Sequence, residues 1–354
     1  MKSLPYGRGS DGDCDAPIRA ATVRERSVIR WLLMLAMLPL PVWSQYTLYT
    51  CMVTSKDYVV GAKLAPSGIF LKSAAGEWRH AGYNHPFISA LDFDPADPGT
   101  LYVAAGNGLI RMRERGERWK ILTGSDVTEL LDVSVDRHAP GTIYFSHTAG
   151  IRVTRDSGAT WQDAGAGLHR KYTPAIRVDS RQSGLLVVGN EEGIFRSEDA
   201  GKRWRPAGAA GFQVLRIEQS PHDACYWMAA TQGGGLFVST DCGVSFETGG
   251  NLGTGRNLSD IAFDPAAPNR IAVAGWGVGV AVSEDLGKTW QLRNAGLPSN
   301  NVWSVAFDPA KPGRIYGGVH EEALYVSQDG GKTWSRDGLE GSRVFRMKFV
   351  PERR

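Results

Sequence analysis

An eight-residue string recurs along this chain at a nearly constant interval. Residues 327–334 read SQDGGKTW and residues 283–290 read SEDLGKTW. SEDAGKRW at 197–204 and TRDSGATW at 154–161 follow the same plan, and STDCGVSF at 239–246 closes on Phe instead of Trp. MRERGERW at 112–119 carries Glu114 in place of the Asp, and GEW at 76–78 is the most degraded copy. The closing aromatics are Trp78, Trp119, Trp161, Trp204, Phe246, Trp290 and Trp334, spaced 41 to 44 residues apart. A unit of that size cannot bury its apolar face alone and must stack on its neighbours. A period of about 40–45 residues points to propeller blades.

The surrounding residues say how each unit is built. An inner strand comes first, as in LDF at 91–93 or VAF at 305–307. A turn rich in Pro and Gly follows, such as DPADPG at 94–99, then a second strand such as LYVAA at 101–105. A Gly-containing turn leads to a third strand, the repeated string and a short fourth strand. Period-two alternation and β-branched and aromatic residues agree with this, and no segment reads as a long helix. The fold class expected is all-β: a seven-bladed β-propeller of four-stranded antiparallel blades. Within the string, the Asp accepts hydrogen bonds from turn amides. The Gly suits a positive φ, and the Trp begins the outgoing strand. The acids Asp156, Asp199, Asp241, Asp285 and Asp329 are therefore expected to be structural.

The string matches the Asp-box, or BNR, repeat S-x-D-x-G-x-T-W, over nearly all of residues 45–354. The chain resembles bacterial BNR/Asp-box propellers, including photosystem II assembly factor-like and sortilin-type repeat proteins, and has the general architecture of WD40/YVTN-like repeats. More distantly it resembles sialidase- and xyloglucanase-type propellers. The nearer resemblance implies a non-catalytic binding platform, and the more distant one a glycoside hydrolase. The sialidase motif F/Y-R-I-P is missing where it would be tested: Phe195 and Arg196 are followed by Ser197. A sialidase also implies six blades, and a xyloglucanase two tandem propellers.

Residues 1–44 differ from the rest. Arg24, Arg26 and Arg30 precede a mostly apolar run, WLLMLAMLPLPVW at 31–43, too short for a comfortable membrane span. This reads as a signal peptide, with either a true start further downstream or an unusually long n-region, cleaved after Ser44, and the product as exported, periplasmic or extracellular. An uncleaved anchor is the alternative, and the only route to a membrane. The segment holds six basic and four acidic residues, so the net charge of +3 falls to +1 without it. A near-neutral domain offers no electrostatic case for nucleic acid. The expected partner is a protein or glycan, bound by a monomer without a cofactor. Residues 45–354 are expected to form one propeller, its first blade completed by the C-terminal strand 343–350. The other strands of that blade are placed near 58–61, 69–72 and Trp78. Tyr46–Val53 competes for the inner position.

Cys225 opens the second strand of the fifth blade and Cys242 lies in its Asp-box. In a propeller these turns share a face, so the two form either a disulfide or a pair of separate thiols. No Cys or His spacing suggests a metal. Ligands of propellers usually sit on the face opposite the Asp-boxes. There the chain places Glu191, Glu192, Glu321 and Glu322, the candidate catalytic carboxylates of a glycosidase. The same face carries Trp276, His147, His320, Tyr172 and Arg170 as candidate ligand-binding residues. Alignment of the inner strands puts Asp92, Asp132, Arg177, Arg216, Ala262, Ala306 and Lys348 at one channel position, read as an internally paired lining.

Overall fold

A computed structural model describes residues 45–352 except 58, 60–64 and 74. The leader read as a signal peptide lies outside the described residues. Among the described residues are 28 strands in seven four-stranded antiparallel sheets and one 3-10 turn, Glu114–Gly116. The chain is a seven-bladed β-propeller.

Blade one runs, from the channel outward, Ser342–Pro351, Tyr46–Thr54, Gly68–Lys72 and Trp78–Ala81. The C-terminal strand is innermost and pairs with Tyr46–Thr54 from Tyr46↔Pro351 to Thr54↔Ser342. The second strand expected at 58–61 is thus a misplacement; Tyr46–Thr54 takes that place, and residues 58, 60 and 61 lie outside the described residues. The reason is burial. Leu48 to Met52 are buried without alternation, so both faces of that strand are covered inside the ring, and the backbone groups of its inner edge are paired by the C-terminal strand. The other six blades run in chain order from the inner to the outer strand.

The core lies between blades. One cluster joins Val187 and Ala175 of the fourth blade to Ile217, Trp227 and Ala229 of the fifth. Side chains the size of Val187 and Ile217 contribute roughly 1.5–3 kcal/mol each on full burial.

The five full Asp-boxes share one bonding pattern, save that Arg203 of the fourth blade has no hydroxyl to make the final bond. In the last, the Gly331 N–H donates to Ser327 Oγ (2.8 Å) and the Ser327 hydroxyl donates to Asp329 Oδ1 (2.8 Å). The Thr333 N–H donates to Asp329 Oδ1 (2.9 Å) and its hydroxyl to Oδ2 (2.7 Å). Those bonds, the Thr333 hydroxyl first, hold the Asp329 carboxyl down to about 2. Each turn uses two consecutive positive-φ residues, as at Gly330 (76°) and Gly331 (88°); Cys242 takes the first of these positions at 64°.

The closing Trp does more than begin a strand. Trp334 Nε1 donates to Arg293 O of the sixth blade (2.7 Å), Trp204 to Ala164 O (3.0 Å) and Trp161 to Leu122 O (3.2 Å), each across to the preceding blade. The degenerate copy in blade two lacks such a bond among the described residues. There Trp119 stays 44% exposed and rests on Tyr83, 4.8 Å between ring centres.

Candidate functional site

The two faces are separated by hydrogen bonding. Each Asp-box turn bonds to the turn between the first and second strands of its own blade, for example Leu286 N–H to Asn269 O (2.9 Å) and Gly330 N–H to Gly313 O (2.8 Å). In the fifth blade the same bond runs from Cys242 N–H to Cys225 O (3.1 Å), and the two sulfurs are joined as a disulfide. The turns between second and third strands, and the links between blades, form the opposite, loop face.

A local irregularity aims side chains at that face. Most inner strands carry a β-bulge near their start, where register jumps from Val214 to Arg216, Leu258 to Asp260, Val302 to Ser304 and Val344 to Arg346. The skipped residues, Leu215, Ser259, Trp303 and Phe345, are half-buried between buried neighbours. A bulge leaves its extra residue unpaired and redirects it. Leu215, Ser259 and Trp303 line a groove of about 400 Å³ together with Tyr172, Gln232, Asn257 and Trp276.

The groove's aromatic wall is held from behind. Trp276 is 46% exposed and packs edge-on against His320 (4.9 Å) and Trp303 (6.0 Å). His320 Nδ1 accepts from Trp303 Nε1 (2.8 Å) and from Arg343 Nε (3.1 Å). The Arg343 guanidinium lies over Trp303 and Phe345 at 5.6 and 5.9 Å. Burial, then the Arg343 charge, push the His320 pKa down, against the pull of Glu321, so the ring is held neutral.

The expected residues divide clearly. Trp276 and Tyr172 line the groove, and His320 supports it. Burial, then the Glu191 charge, raise the Tyr172 phenol. His147 is only 6% exposed and packs on Phe145, so the structure gives it no surface role. Arg170 points outward, while its carbonyl accepts from Asn190 Nδ2 (3.2 Å). None of the four candidate carboxylates lines the groove. Glu321 accepts from Ser55 Oγ (2.9 Å) and pairs with Arg343 (3.5 Å), and Glu322 pairs with Lys56 (3.1 Å). Glu191 is exposed and Glu192 half-buried. Trp303, Gln232, Asn257 and Arg343 were not among the expected site residues. Trp303 reads as one more residue of an inner strand, and nothing short of the bulge reveals that it turns outward.

The channel lining is a correction. It forms two tiers, not one ring. Asp132, Arg216, Asp260 and Arg346 face equivalent second-strand positions, opposite Ser146, Ala230, Ala274 and Cys51. Asp92, Arg177, Glu218 and Lys348 form the next tier. A strand pattern is unchanged by a shift of two, so alignment by hydrophobic pattern slides Asp132 and Arg216 into the wrong tier. The ion pairs are dense: Arg177 to Asp132 (2.7 Å) and Glu218 (2.6 Å), Arg216 to Asp260 (2.6 Å), and Lys348 to Asp92 (2.8 Å). The acids also tie blade to blade. Asp92, Asp132 and Asp260 each accept a backbone N–H from the following blade, at Val135, Ile176 and Val305. Burial raises Asp260 and outweighs Arg216, whereas for Glu218 burial is outweighed by Arg177 and Arg216, which hold it low.

Comparison with known proteins adds three findings. The family model of the BNR/Asp-box repeat matches residues 325–336. No curated protein matches the sequence. Among solved structures, the fold is similar to the GH74 enzyme of Niastella koreensis, at TM-score 0.64 and 17% identity, over 77% of this chain and 51% of that one. It is also similar to YCF48 from Cyanidioschyzon merolae, at 0.56 and 18%, over 72% and 86%. A structure of YCF48 bound to D1 peptide matches at 0.54 and 21%, over 71% and 81%. The chain spans about half the length of the GH74 enzyme. At these identities the likeness is one of fold.

Proposed function

We propose that this propeller is an exported, non-catalytic binding module that takes a protein partner in its loop-face groove. One observation carries the reading: Tyr172, Trp276 and Trp303 wall a groove whose polar lining includes the amides of Gln232 and Asn257 and no carboxylate. Rigid aromatic rings beside uncharged hydrogen-bonding groups suit partner side chains and backbone. YCF48, similar in fold, has been solved with a peptide bound. The similarity to a GH74 enzyme favours a second reading, glycoside hydrolysis. That chemistry needs two carboxyls about 5–10 Å apart flanking the scissile bond. Glu321 and Glu322 are instead engaged with Ser55, Arg343 and Lys56.

The test immobilises the protein and captures partners from envelope extract, with Trp276→Ala and Trp303→Ala in parallel and a glycan array alongside. A partner retained by the wild type and weakened roughly 30-fold by either substitution supports the reading, since buried aromatic anchors carry ~2 kcal/mol or more. Glycan turnover without any groove-dependent protein partner overturns it. Cell fractionation tests export: the chain recovered with cytoplasmic markers refutes that part.

A further inference from the structure

We propose that the central channel, entered from the Asp-box face, binds a small organic carboxylate with an apolar body. The inference does not rest on the loop-face reading, since the two sites lie at opposite ends of the channel.

The cavity measures about 520 Å³, within the range of small-molecule sites. Pro221, Pro265 and Pro309 stand at its mouth, in the turns that bond to the Asp-boxes. Phe93, Phe263, Phe307 and Phe349, from four blades, give it an apolar rim. Arg137, exposed, stands at the mouth in the turn that matches those prolines, and deeper the wall carries Arg177, Arg216, Arg346 and Lys348. The acids on the same wall are Glu218 and Asp260. With Asp92 and Asp132, which pair with Lys348 and Arg177 from beside the wall, the deep cluster is balanced in charge, and the exposed Arg137 at the mouth adds one cation in excess.

Charge alone does not make a site; the unmade hydrogen bonds do. Arg216 and Arg346 are 3% and 7% exposed. Nη1 of Arg216 and both Nε and Nη1 of Arg346 have no hydrogen-bond acceptor among the described residues. The carboxylate oxygens nearest Arg346 stand off at 3.5 Å (Glu218), 3.6 Å (Asp132) and 3.9 Å (Asp260). Those acids are committed. Asp132 Oδ2 accepts from Ile176 N–H and Arg177, and Asp260 Oδ2 from Val305 N–H, so neither turns to Arg346 without releasing the next blade. Buried donors of a cation are costly to leave unmet. A carboxylate presents two acceptors in the geometry a guanidinium matches, and the phenylalanine rim receives the rest of the molecule.

The experiment titrates the full-length protein by calorimetry at neutral pH with benzoate and its neutral isostere benzamide. N-acetylphenylalanine and its amide ask whether the carboxylate is a free molecule or a chain terminus. The expected result is saturable one-to-one binding of a carboxylate, with the matching amide at least about tenfold weaker. Arg346→Gln is expected to weaken binding by a similar factor. Because that change disturbs a buried ion network, Ala262→Phe provides an independent arm: it fills the half-buried channel wall without altering charge and should abolish binding. Tighter binding of N-acetylphenylalanine than benzoate assigns the site to a peptide terminus, and the reverse to a free acid. No saturable heat with either carboxylate, equal affinity for the amides, or undiminished binding in folded Ala262→Phe overturns the proposal.

Discussion

Replacing His320 with Phe isolates what its imidazole does. The ring stays against Trp276 and Trp303, but Nδ1, which accepts from Trp303 Nε1 at 2.8 Å and Arg343 Nε at 3.1 Å, is lost. A neutral hydrogen bond contributes about 0.5–1.5 kcal/mol and one from a charged donor about 1.5–3. The His320 side chain is 18% exposed, so water recovers part of this loss. The expected destabilisation is about 2 kcal/mol at pH 7.5, read as a lower denaturation midpoint with an unchanged slope. Acid should reproduce the substitution in the wild type. The folded pKa of His320 is depressed, so the neutral ring's stabilisation is complete above the unfolded value of 6.5 and is lost as pH falls through the folded one. His85 and His147, also depressed, titrate in both proteins and cancel in the difference. The gap between wild type and His320→Phe should therefore close on going from about pH 7.5 to pH 5. A gap that is absent at pH 7.5, or unchanged at pH 5, refutes the assigned role.

Three further outcomes follow from the fold. Trp334→Phe should cost about 2–4 kcal/mol in urea melts, because it strands the Arg293 carbonyl and thins an inter-blade contact, whereas Trp119→Phe, at a 44% exposed ring, should cost under about 1; equal losses would contradict the inter-blade role. Replacing Cys225 and Cys242 together by Ser opens a loop of sequence separation 17 and should remove about 3 kcal/mol, with reductant lowering the wild-type melting temperature comparably. The Asp285 and Asp329 carboxyls, at about 2, should show NMR titration midpoints there; their depressed pKa means the box bonds persist above the unfolded value and fail as pH falls through about 2, a dependence Asp285→Asn should lose at its own blade.

Much of the architecture was legible because it is local and repeated. The Asp-box binds its own residues within four positions, so Ser327, Asp329 and Thr333 declare the turn wherever they occur. The site was only half legible. Trp276 stood out between glycines in a turn, and it does line the groove. Trp303 did not, because its outward direction comes from a bulge at Val302/Ser304, which a strand-like string does not announce. The acidic pairs were candidates by their place on the loop face; the partners that engage Glu321 and Glu322, Ser55, Lys56 and Arg343, come from another blade.

The repeated SxDxGxTW string and the strands around it were thus sufficient for the blade count, the strand order of blades two to seven and the face on which Cys225 and Cys242 meet, since each depends on short-range bonding and a fixed period. Two things needed the closed ring. The first is the closing Trp as a bond to the preceding blade. Its acceptors, Leu122, Ala164 and Arg293, lie 39 to 41 residues back and become neighbours only when blades pack. The second is the channel, where Arg346 from the C-terminal strand meets Asp132, Glu218 and Asp260 of three other blades. Periodicity specifies what each blade is. Which charges converge at the axis, and which donors stay unmet there, is decided by closure.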